Sequence, residues 1–246
     1  MNKIKLEDNE RIDDLQYENL KIIQNKDLYC FSSDAVLLCN FVKAKASDVI
    51  VDLCSGSGVV GILAQAKNHA KKVILVEKQK NLAKMCKKTI DYNELNEKAE
   101  VVNADIIDAP KILGIEKYDV VCSNPPYFLP NGKYLSGKKE IDMAKFEIEM
   151  NFENLCYVAS KLLKFAGKFY FVSDSTRISE LIVTLKKYDL EPKVLEFVFP
   201  KQKKHSNVVL FECTKKGKPG AKVFYKYIGE WLCYILLQHQ LETWKI

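Results

Sequence analysis

The sequence predicts an α/β fold in which helices cover both faces of a mostly parallel β-sheet. Two observations lead to this prediction. Short runs rich in valine and isoleucine alternate with helical patterns from residue 49 to residue 188. The 246 residues are 48% hydrophobic and 28% charged, which is close to the average of globular domains. A chain of this length and composition can bury a large core, so a disordered, collagenous or disulfide-stapled chain is excluded.

The alternation defines each element in turn. The first part should contain four strands and two helices: Val49–Cys54, helix Val59–Lys67, Lys72–Glu77, helix Gln79–Tyr92, Glu100–Asp105 and Tyr118–Ser123. After a polar stretch we expect helix Phe152–Lys164, strand Gly167–Ser173 and helix Thr176–Tyr188. The last two strands, Val194–Phe199 and Asn207–Cys213, are expected to pair as a C-terminal antiparallel hairpin.

The segment before the first core strand has a different pattern. Leu20–Gln24 and Tyr29–Phe31, on either side of Asn25–Asp27, suggest a β-hairpin. Ser32 or Ser33 then provides the N-cap of a helix that reaches Val42. We therefore divide the chain into an N-terminal hairpin and helix (residues 1–48), one catalytic domain (residues 49–227) and a tail of uncertain structure (residues 228–246).

Charge and composition limit the partners. The net charge is +6, and all but two of the 38 basic residues are lysines, which permits a polyanionic partner without requiring one. The eight cysteines form no C-x-x-C pair and the three histidines are scattered, so we expect no metal site. No apolar run reaches the ~20 residues of a membrane span, and no apolar leader follows Met1. We expect a cytosolic protein that makes no membrane contact.

The turn after the first core strand has the pattern of a nucleotide-binding loop. Gly56–Gly61 has the form G-x-G-x-x-G between a strand and a helix, and Glu77 follows 21 positions after Gly56, at the end of the next strand. Glycines permit the tight turn, and a carboxylate there can accept hydrogen bonds from ribose hydroxyls. This pattern alone favours a dinucleotide.

Asp52 changes that preference. A carboxylate four residues before Gly56, at the mouth of the loop, would repel a pyrophosphate but attract the ammonium and sulfonium groups of S-adenosylmethionine. Asp105, after the third strand, can accept a hydrogen bond from an adenine amine, with Ile106 beside it as an apolar wall. The cofactor that we predict is therefore S-adenosylmethionine.

A second motif follows the fourth strand. Asn124–Tyr127 has the sequence Asn-Pro-Pro-Tyr, at the strand end where doubly wound sheets place their chemistry. The oxygen of Asn124 and the carbonyl of Pro125 can both accept hydrogen bonds from a conjugated amino group, which leaves its lone pair free for a methyl group. Tyr127 offers a ring on which a flipped base can stack. We predict methyl transfer to an amino nitrogen.

These two motifs resemble those of class I S-adenosylmethionine-dependent methyltransferases of the N-P-P-Y type, with their Rossmann-like sheet. A closer resemblance is to the bacterial tRNA(Val) (adenine-N6)-methyltransferase family, which modifies tRNA position 37 in the anticodon loop. It extends from about residue 10 to residue 227 and rests on flanking segments: Arg11–Leu15, Leu20–Asn25, Phe31–Leu38, Leu190–Lys193, Asn207–Leu210 and Gly217–Gly220. Where that family often has His-Glu, this chain has Phe146-Glu147, so no role of that histidine is carried over.

The predicted site combines the residues above. The acceptor side consists of Asn124, Pro125, Pro126 and Tyr127, and the donor side of Asp52, Cys54, Ser55, Gly56, Gly58, Glu77, Asp105, Ile106 and Asn124. We expect a tRNA partner, contacted by the stretch Gly132–Lys145 as a lid and by Lys201, Lys203 and Lys204.

Three alternatives stay open. A release-factor glutamine-N5 methyltransferase uses the same motif, but the segment of about 48 residues before the glycine loop is short for its helical substrate domain. An rRNA base amino-group methyltransferase has the same chemistry. A non-catalytic RNA-binding protein is disfavoured because Asp52, Glu77, Asp105 and Asn124–Tyr127 are all present.

Overall fold

A computed structural model describes residues 5–126, 151–200 and 205–228. The strands are β1 (Glu10–Asp14), β2 (Lys21–Asn25), β3 (Val49–Leu53), β4 (Lys72–Glu77), β5 (Ala99–Asn103), β6 (Tyr118–Ser123), β7 (Leu163–Asp174), β8 (Leu190–Pro200), β9 (Val208–Lys215) and β10 (Lys222–Ile228). The helices are α1 (Ser33–Phe41), α2 (Val59–Asn68), α3 (Lys80–Tyr92), α4 (Ala109–Leu113), α5 (Phe152–Leu162) and α6 (Ile178–Lys187).

Eight strands form the main sheet, in the order β10-β8-β9-β7-β6-β3-β4-β5. Strand β9 runs antiparallel to β7 and β8, and the other pairs are parallel. Helices α1, α2 and α3 cover one face, and α4, α5 and α6 cover the other. The predicted fold class, a mostly parallel sheet with an antiparallel C-terminal hairpin and helices on both faces, is confirmed.

Burial explains why the central strands form. Val51, Leu53 and Val121 of β3 and β6 face one side of the sheet, while Ile50 and Val120 face the other, and all five are buried. Strands covered on both faces are expected to consist of continuous apolar runs. The central position of β3 and β6 therefore follows directly from their composition.

The N-terminal hairpin differs from the prediction. Strand β2 pairs with β1, in the register Ile12↔Ile23, and Tyr29–Phe31 is not a strand. Side chains fix this pairing, since the carboxylate of Asp13 accepts a hydrogen bond from Gln24 at 2.6 Å. The hairpin packs on α3, where the Ile23 N–H donates to Thr89 Oγ1 at 3.0 Å.

Other predicted elements shift at their ends. The third core strand lies at Ala99–Asn103 rather than Glu100–Asp105, which leaves Asp105 beyond the strand. Strand β7 begins at Leu163 rather than Gly167, and β8 begins at Leu190 rather than Val194. Of the two predicted N-cap candidates, Ser32 occupies the N-cap position of α1, although its side chain makes no capping hydrogen bond, and Ser33 is the first residue of the helix. Strand β10, parallel to β8 at the sheet edge, was not predicted.

Several predicted features lie outside the described residues. They are Tyr127, the stretch Gly132–Lys145, Phe146-Glu147, the lysines Lys201, Lys203 and Lys204, and residues 229–246. In the three described ranges, no helix has the length and apolar character that a membrane crossing requires. The domain boundaries at residues 48 and 227 stay a prediction.

Candidate donor and acceptor site

Four neighbouring strands bring the predicted site residues to one edge of the sheet. Strands β6, β3, β4 and β5 are adjacent and parallel, so their carboxyl ends share that edge. The glycine loop (Cys54–Gly58) follows β3, Glu77 ends β4, Asp105 follows β5 and Asn124 follows β6. Clefts for ligands form at this edge in open parallel sheets.

The glycine loop makes a tight turn from β3 into α2. Cys54, Gly56 and Gly58 all have positive φ, at 59°, 57° and 89°. The N–H of Gly58 donates to the Ser55 carbonyl at 2.8 Å, and the Ser55 N–H donates to the Val76 carbonyl of β4 at 3.1 Å. A Cβ atom on Gly58 would lie 2.9 Å from Leu75 Cδ1, so only glycine fits there without rearrangement.

Asp52 lies beneath the loop and not at its mouth, which corrects the expected placement. Its side chain is 0% exposed, and its Oδ2 accepts a hydrogen bond from the Gly61 N–H at 2.8 Å. Gly61 lies in the first turn of α2, where backbone N–H groups have no partner within the helix. The carboxylate therefore occupies the position at which a phosphate would bind this helix N-terminus.

The charge of Asp52 is only partly compensated. Its Oδ1 is buried without a hydrogen bond of normal geometry. Burial raises the pKa of Asp52 to about 7, although the N–H of Gly61 and the thiol of Cys122 partly offset this effect and the charge of Glu77 adds to it. A buried carboxylate whose charge is only partly compensated favours a cationic group nearby.

Glu77 links the end of β4 to the glycine loop. Its Oε2 accepts a hydrogen bond from the Gly56 N–H at 2.8 Å, and its Oε1 accepts one from the Gln79 N–H at 2.7 Å. Burial raises the pKa of Glu77 to about 7 despite these backbone bonds. Each carboxylate oxygen has a second lone pair, so the arrangement still permits bonds to ligand hydroxyls.

Asp105 and Ile106 begin a short 3₁₀ turn after β5. Asp105 accepts from the Ile107 N–H at 3.1 Å and forms a 3.0 Å ion pair with Lys78. Partial burial acts to raise its pKa, but these two bonds outweigh it and lower the pKa below the ordinary value. Ile106 is 3% exposed, whereas Ile107 is 45% exposed, so the expected apolar wall at Ile106 is a core position and not an open surface.

The start of the Asn-Pro-Pro-Tyr motif is held firmly. The hydroxyl of Ser123, the last residue of β6, is buried and donates to the Leu53 carbonyl of β3 at 2.7 Å. Asn124 and Pro126 are half-buried, and Pro125 is buried. Tyr127 lies beyond the described residues, so its expected stacking role stays a prediction.

Cys86 contributes to the site although the sequence did not indicate it. Its thiol donates to the Gly56 carbonyl at 3.0 Å and lies 3.9 Å from the hydroxyl of Ser55. Burial raises its pKa far above the ordinary range, so it stays protonated and keeps the donor hydrogen. Its position on α3, 30 residues from Gly56, left no local pattern from which to infer the contact.

We expect Gly61→Ala to destabilise the protein. A Cβ atom on Gly61 would lie 2.5 Å from Leu75 Cδ2 and 2.9 Å from Asp52 Cβ, because α2 packs directly on the sheet there. Overpacking of this kind typically costs about 1–3 kcal/mol. Urea unfolding should show this loss, while Ser179→Ala, at an exposed position of α6, should change stability by less than about 0.5 kcal/mol. Equal stability of the two variants would contradict the close packing.

No arrangement of three or more histidine, cysteine, aspartate or glutamate side chains suited to a metal occurs in the part of the chain that the structure describes. The acidic groups of the site are instead bound to backbone N–H groups and to Lys78. The arrangement can therefore bind a cationic ligand with hydroxyl and amino groups and present an amine to it.

Comparison with known proteins identifies a family and several relatives of this chain. A sequence model of the family described as "Methyltransferase small domain" matches residues 30–180. Among curated proteins, the chain is 26% identical over 159 residues to a tRNA1(Val) (adenine(37)-N6)-methyltransferase of Shewanella halifaxensis, a match that covers 65% of this chain and 63% of the relative. A Bacteroides thetaiotaomicron protein of the same name is 26% identical over 160 residues, with 64% and 65% covered.

The chain thus spans slightly less than two thirds of the length of these relatives. Both have the name that the sequence resemblance indicated, so that resemblance is confirmed. Among solved structures, a predicted O-methyltransferase from Agrobacterium tumefaciens superposes with a TM-score of 0.61 at 21% identity, over 79% of this chain and 85% of its own. At that identity the similarity supports the fold alone.

Proposed function

Because the chain belongs to the methyltransferase small domain family, we propose that it transfers a methyl group from S-adenosylmethionine to the N6 atom of an adenine in tRNA. The names of its relatives favour position 37 of tRNA(Val) as the target. This substrate implies a cytoplasmic location. The activity, the donor and the tRNA partner are all parts of the proposal.

One observation carries the choice of donor. The buried carboxylate of Asp52 is bound to the first turn of α2, so an anion already occupies the place of a pyrophosphate. A dinucleotide would bring a second negative charge there, whereas the only partly compensated charge of Asp52 favours a cation. The residues present therefore fit S-adenosylmethionine better than NAD.

The remaining donor contacts follow from position. Glu77 ends the next strand and Asp105 follows the one after it, and they would bind the ribose hydroxyls and the adenine amine. Gly56 and Gly58 allow the backbone to approach the ligand closely. When bound, S-adenosylmethionine supplies a methyl group attached to a positively charged sulfur.

The acceptor side acts by positioning. The side-chain oxygen of Asn124 and the carbonyl of Pro125 accept hydrogen bonds from the adenine amino group, which draws its lone pair out of conjugation and aims it at the donor. Ser123 fixes this segment to β3, next to the glycine loop. Fixed hydrogen-bond acceptors of this kind need no rearrangement during the reaction.

Mass spectrometry of nucleosides tests the proposal. Unmodified tRNA incubated with the protein and S-adenosylmethionine should yield N6-methyladenosine, and calorimetry should show binding of S-adenosylmethionine and of its demethylated product but not of NAD. A methylated glutamine in a release factor, or a methylated rRNA base with unmodified tRNA, would replace the tRNA assignment. Micromolar binding of NAD without binding of S-adenosylmethionine would refute the donor.

A further inference from the structure

An open groove of about 610 Å³ runs between α3 and β5, the last strand of the main sheet. Residues of the glycine loop do not line it. We call it the lysine groove because four of its eleven lining residues are lysines, against one glutamate: Lys72, Lys80, Lys84, Lys87 and Glu100. It is a strongly basic surface that the donor and acceptor site does not use.

Two of these lysines form no ion pair with any residue that the structure describes. Lys72 pairs with Glu100 at 2.5 Å, and Lys87 pairs with Asp91 at 2.6 Å. Lys80 and Lys84 are exposed, and neither forms an ion pair within residues 5–126, 151–200 and 205–228. Four residues of helix advance by about 6 Å, so both ammonium groups project from the same face of α3.

The location of Lys80 strengthens the attraction for an anion. It is the first residue of the 13-residue helix α3, where free backbone N–H groups and the helix dipole also favour negative charge. A lysine at this end opposes the dipole, so it lowers the stability of the free helix and gains from an external anion. Strand β5 is the outermost strand on this side of the main sheet, so the backbone N–H and C=O groups of its outer side also face the groove's surroundings.

The groove opens toward the candidate site. One end of the groove is lined by Asn103, at the end of β5, and by Lys80. Both residues lie at the carboxyl ends of the parallel strands, where Glu77 and Asp105 also lie. Strand β5 is three positions from β6, which precedes Asn124. At the usual strand spacing this separation is about 14 Å, so one RNA stem-loop can contact both places.

We propose that the lysine groove binds the phosphate backbone of the tRNA substrate while the target adenine is held at Asn124. This inference rests on the proposed function and adds the surface that positions the tRNA. Lysine contacts to phosphates set the register of a nucleic acid without reading its sequence. Of the apolar lining residues, Ala83, Ile90 and Ala99 are buried and Val101 is half-buried, so the groove offers charge but no large exposed apolar anchor of the kind that a protein partner needs.

Charge reversal tests the surface. Lys80→Glu combined with Lys84→Glu should raise KM for tRNA about tenfold or more, with kcat and the Kd of S-adenosylmethionine unchanged. Lys80→Gln with Lys84→Gln should reduce the slope of log KM against log salt concentration by about two units, one for each phosphate contact. The matched control is Lys43→Glu with Lys45→Glu, which changes the net charge by the same amount. Both lysines are exposed and precede β3, at the amino ends of the parallel strands, so this control should leave KM unchanged.

Two readouts separate failure of this inference from failure of the proposed function. If the wild-type protein methylates tRNA and the Lys80/Lys84 variants keep its KM and salt slope, the lysine groove does not bind the substrate. If the wild-type protein does not methylate tRNA, the proposed function fails. Filter binding of labelled tRNA then still tests whether the lysine groove binds tRNA. If the wild-type protein and the Lys43/Lys45 control bind tRNA and the Lys80/Lys84 charge-reversal variant does not, the inference is supported. Equal binding by all three proteins would overturn it.

Discussion

Replacing Asn124 with alanine should slow methyl transfer by about 10²–10³-fold, the usual effect of removing one fixed hydrogen bond from a reacting group. The side-chain oxygen is proposed to bind the acceptor amine, and the alanine variant lacks any acceptor in its place. The backbone of this segment should stay where it is, because Ser123 remains bonded to Leu53 and Pro125 remains buried. Donor affinity should therefore change little.

Single-turnover rates with tRNA and calorimetry with S-adenosylmethionine measure the two quantities separately. Asn40→Ala, at an exposed position of α1, serves as the matched control and should retain the wild-type rate. Near wild-type turnover by Asn124→Ala would refute the mechanism. A large loss of donor affinity in the same variant would instead show that Asn124 binds S-adenosylmethionine, a role that the sequence also indicated.

The strands that carry the site were predictable because their composition reflects burial. Strands β4 and β6 have the predicted bounds, and each contains a central apolar run, Val73–Val76 and Val120–Cys122, that is covered on both faces. By contrast, Val223, Tyr225 and Tyr227 of β10 are all more than half exposed, so no buried face marked that strand in the sequence. Strand β1 has the sequence Glu-Arg-Ile-Asp-Asp, a composition disfavoured in strands.

What stabilises β1 is tertiary structure. Glu10 is buried and forms an ion pair with Lys88 of α3 at 2.6 Å, and Asp13 is buried against Gln24. Contacts between residues 78 positions apart have no local signature, which is why the sequence suggested Tyr29–Phe31 as the partner of β2 instead.

The same reasoning applies to the site. That Asp52, Glu77, Asp105 and Asn124 lie in or just after the carboxyl ends of neighbouring strands could be predicted, because parallel strands present these ends together. The partners of these side chains could not be predicted. Whether Asp52 faces solvent or the N-terminus of α2 depends on how closely that helix packs, and the contact of Cys86 with Gly56 depends on α3.

The burial of Asp52 and Glu77 leads to a second large effect, on pH dependence. Free in an unfolded chain these carboxylates have ordinary pKa values of 3.8 and 4.5, and in the folded protein burial raises both to about 7. Between these values the folded protein keeps protons that the unfolded chain has lost. The free energy of unfolding of the ligand-free protein should therefore fall as pH rises from about 4 to about 7 and level off above that.

The donor should reverse this trend. A cationic ligand favours the ionised carboxylates, so its binding releases protons below pH 7, and its affinity should rise with pH up to about 7. Thermal unfolding from about pH 5 to about pH 8, with and without saturating S-adenosylmethionine, should show the ligand-induced rise in Tm growing over this range. A ligand-free Tm that is the same at both ends would contradict the raised pKa values of this buried pair.

Asp52→Asn should separate the two effects. The amide oxygen of asparagine can still accept the hydrogen bond from the Gly61 N–H, but the titrating charge is gone. The free energy of unfolding of the variant should therefore fall less steeply between about pH 5 and about pH 7. The variant should also bind S-adenosylmethionine about 10- to 100-fold more weakly, because it loses a hydrogen bond to a charged group. Asp108→Asn, at an exposed position in the turn after β5, is the matched control and should follow the wild-type curves. Donor binding by Asp52→Asn at wild-type affinity would show that the carboxylate supports the loop alone and does not attract the cation.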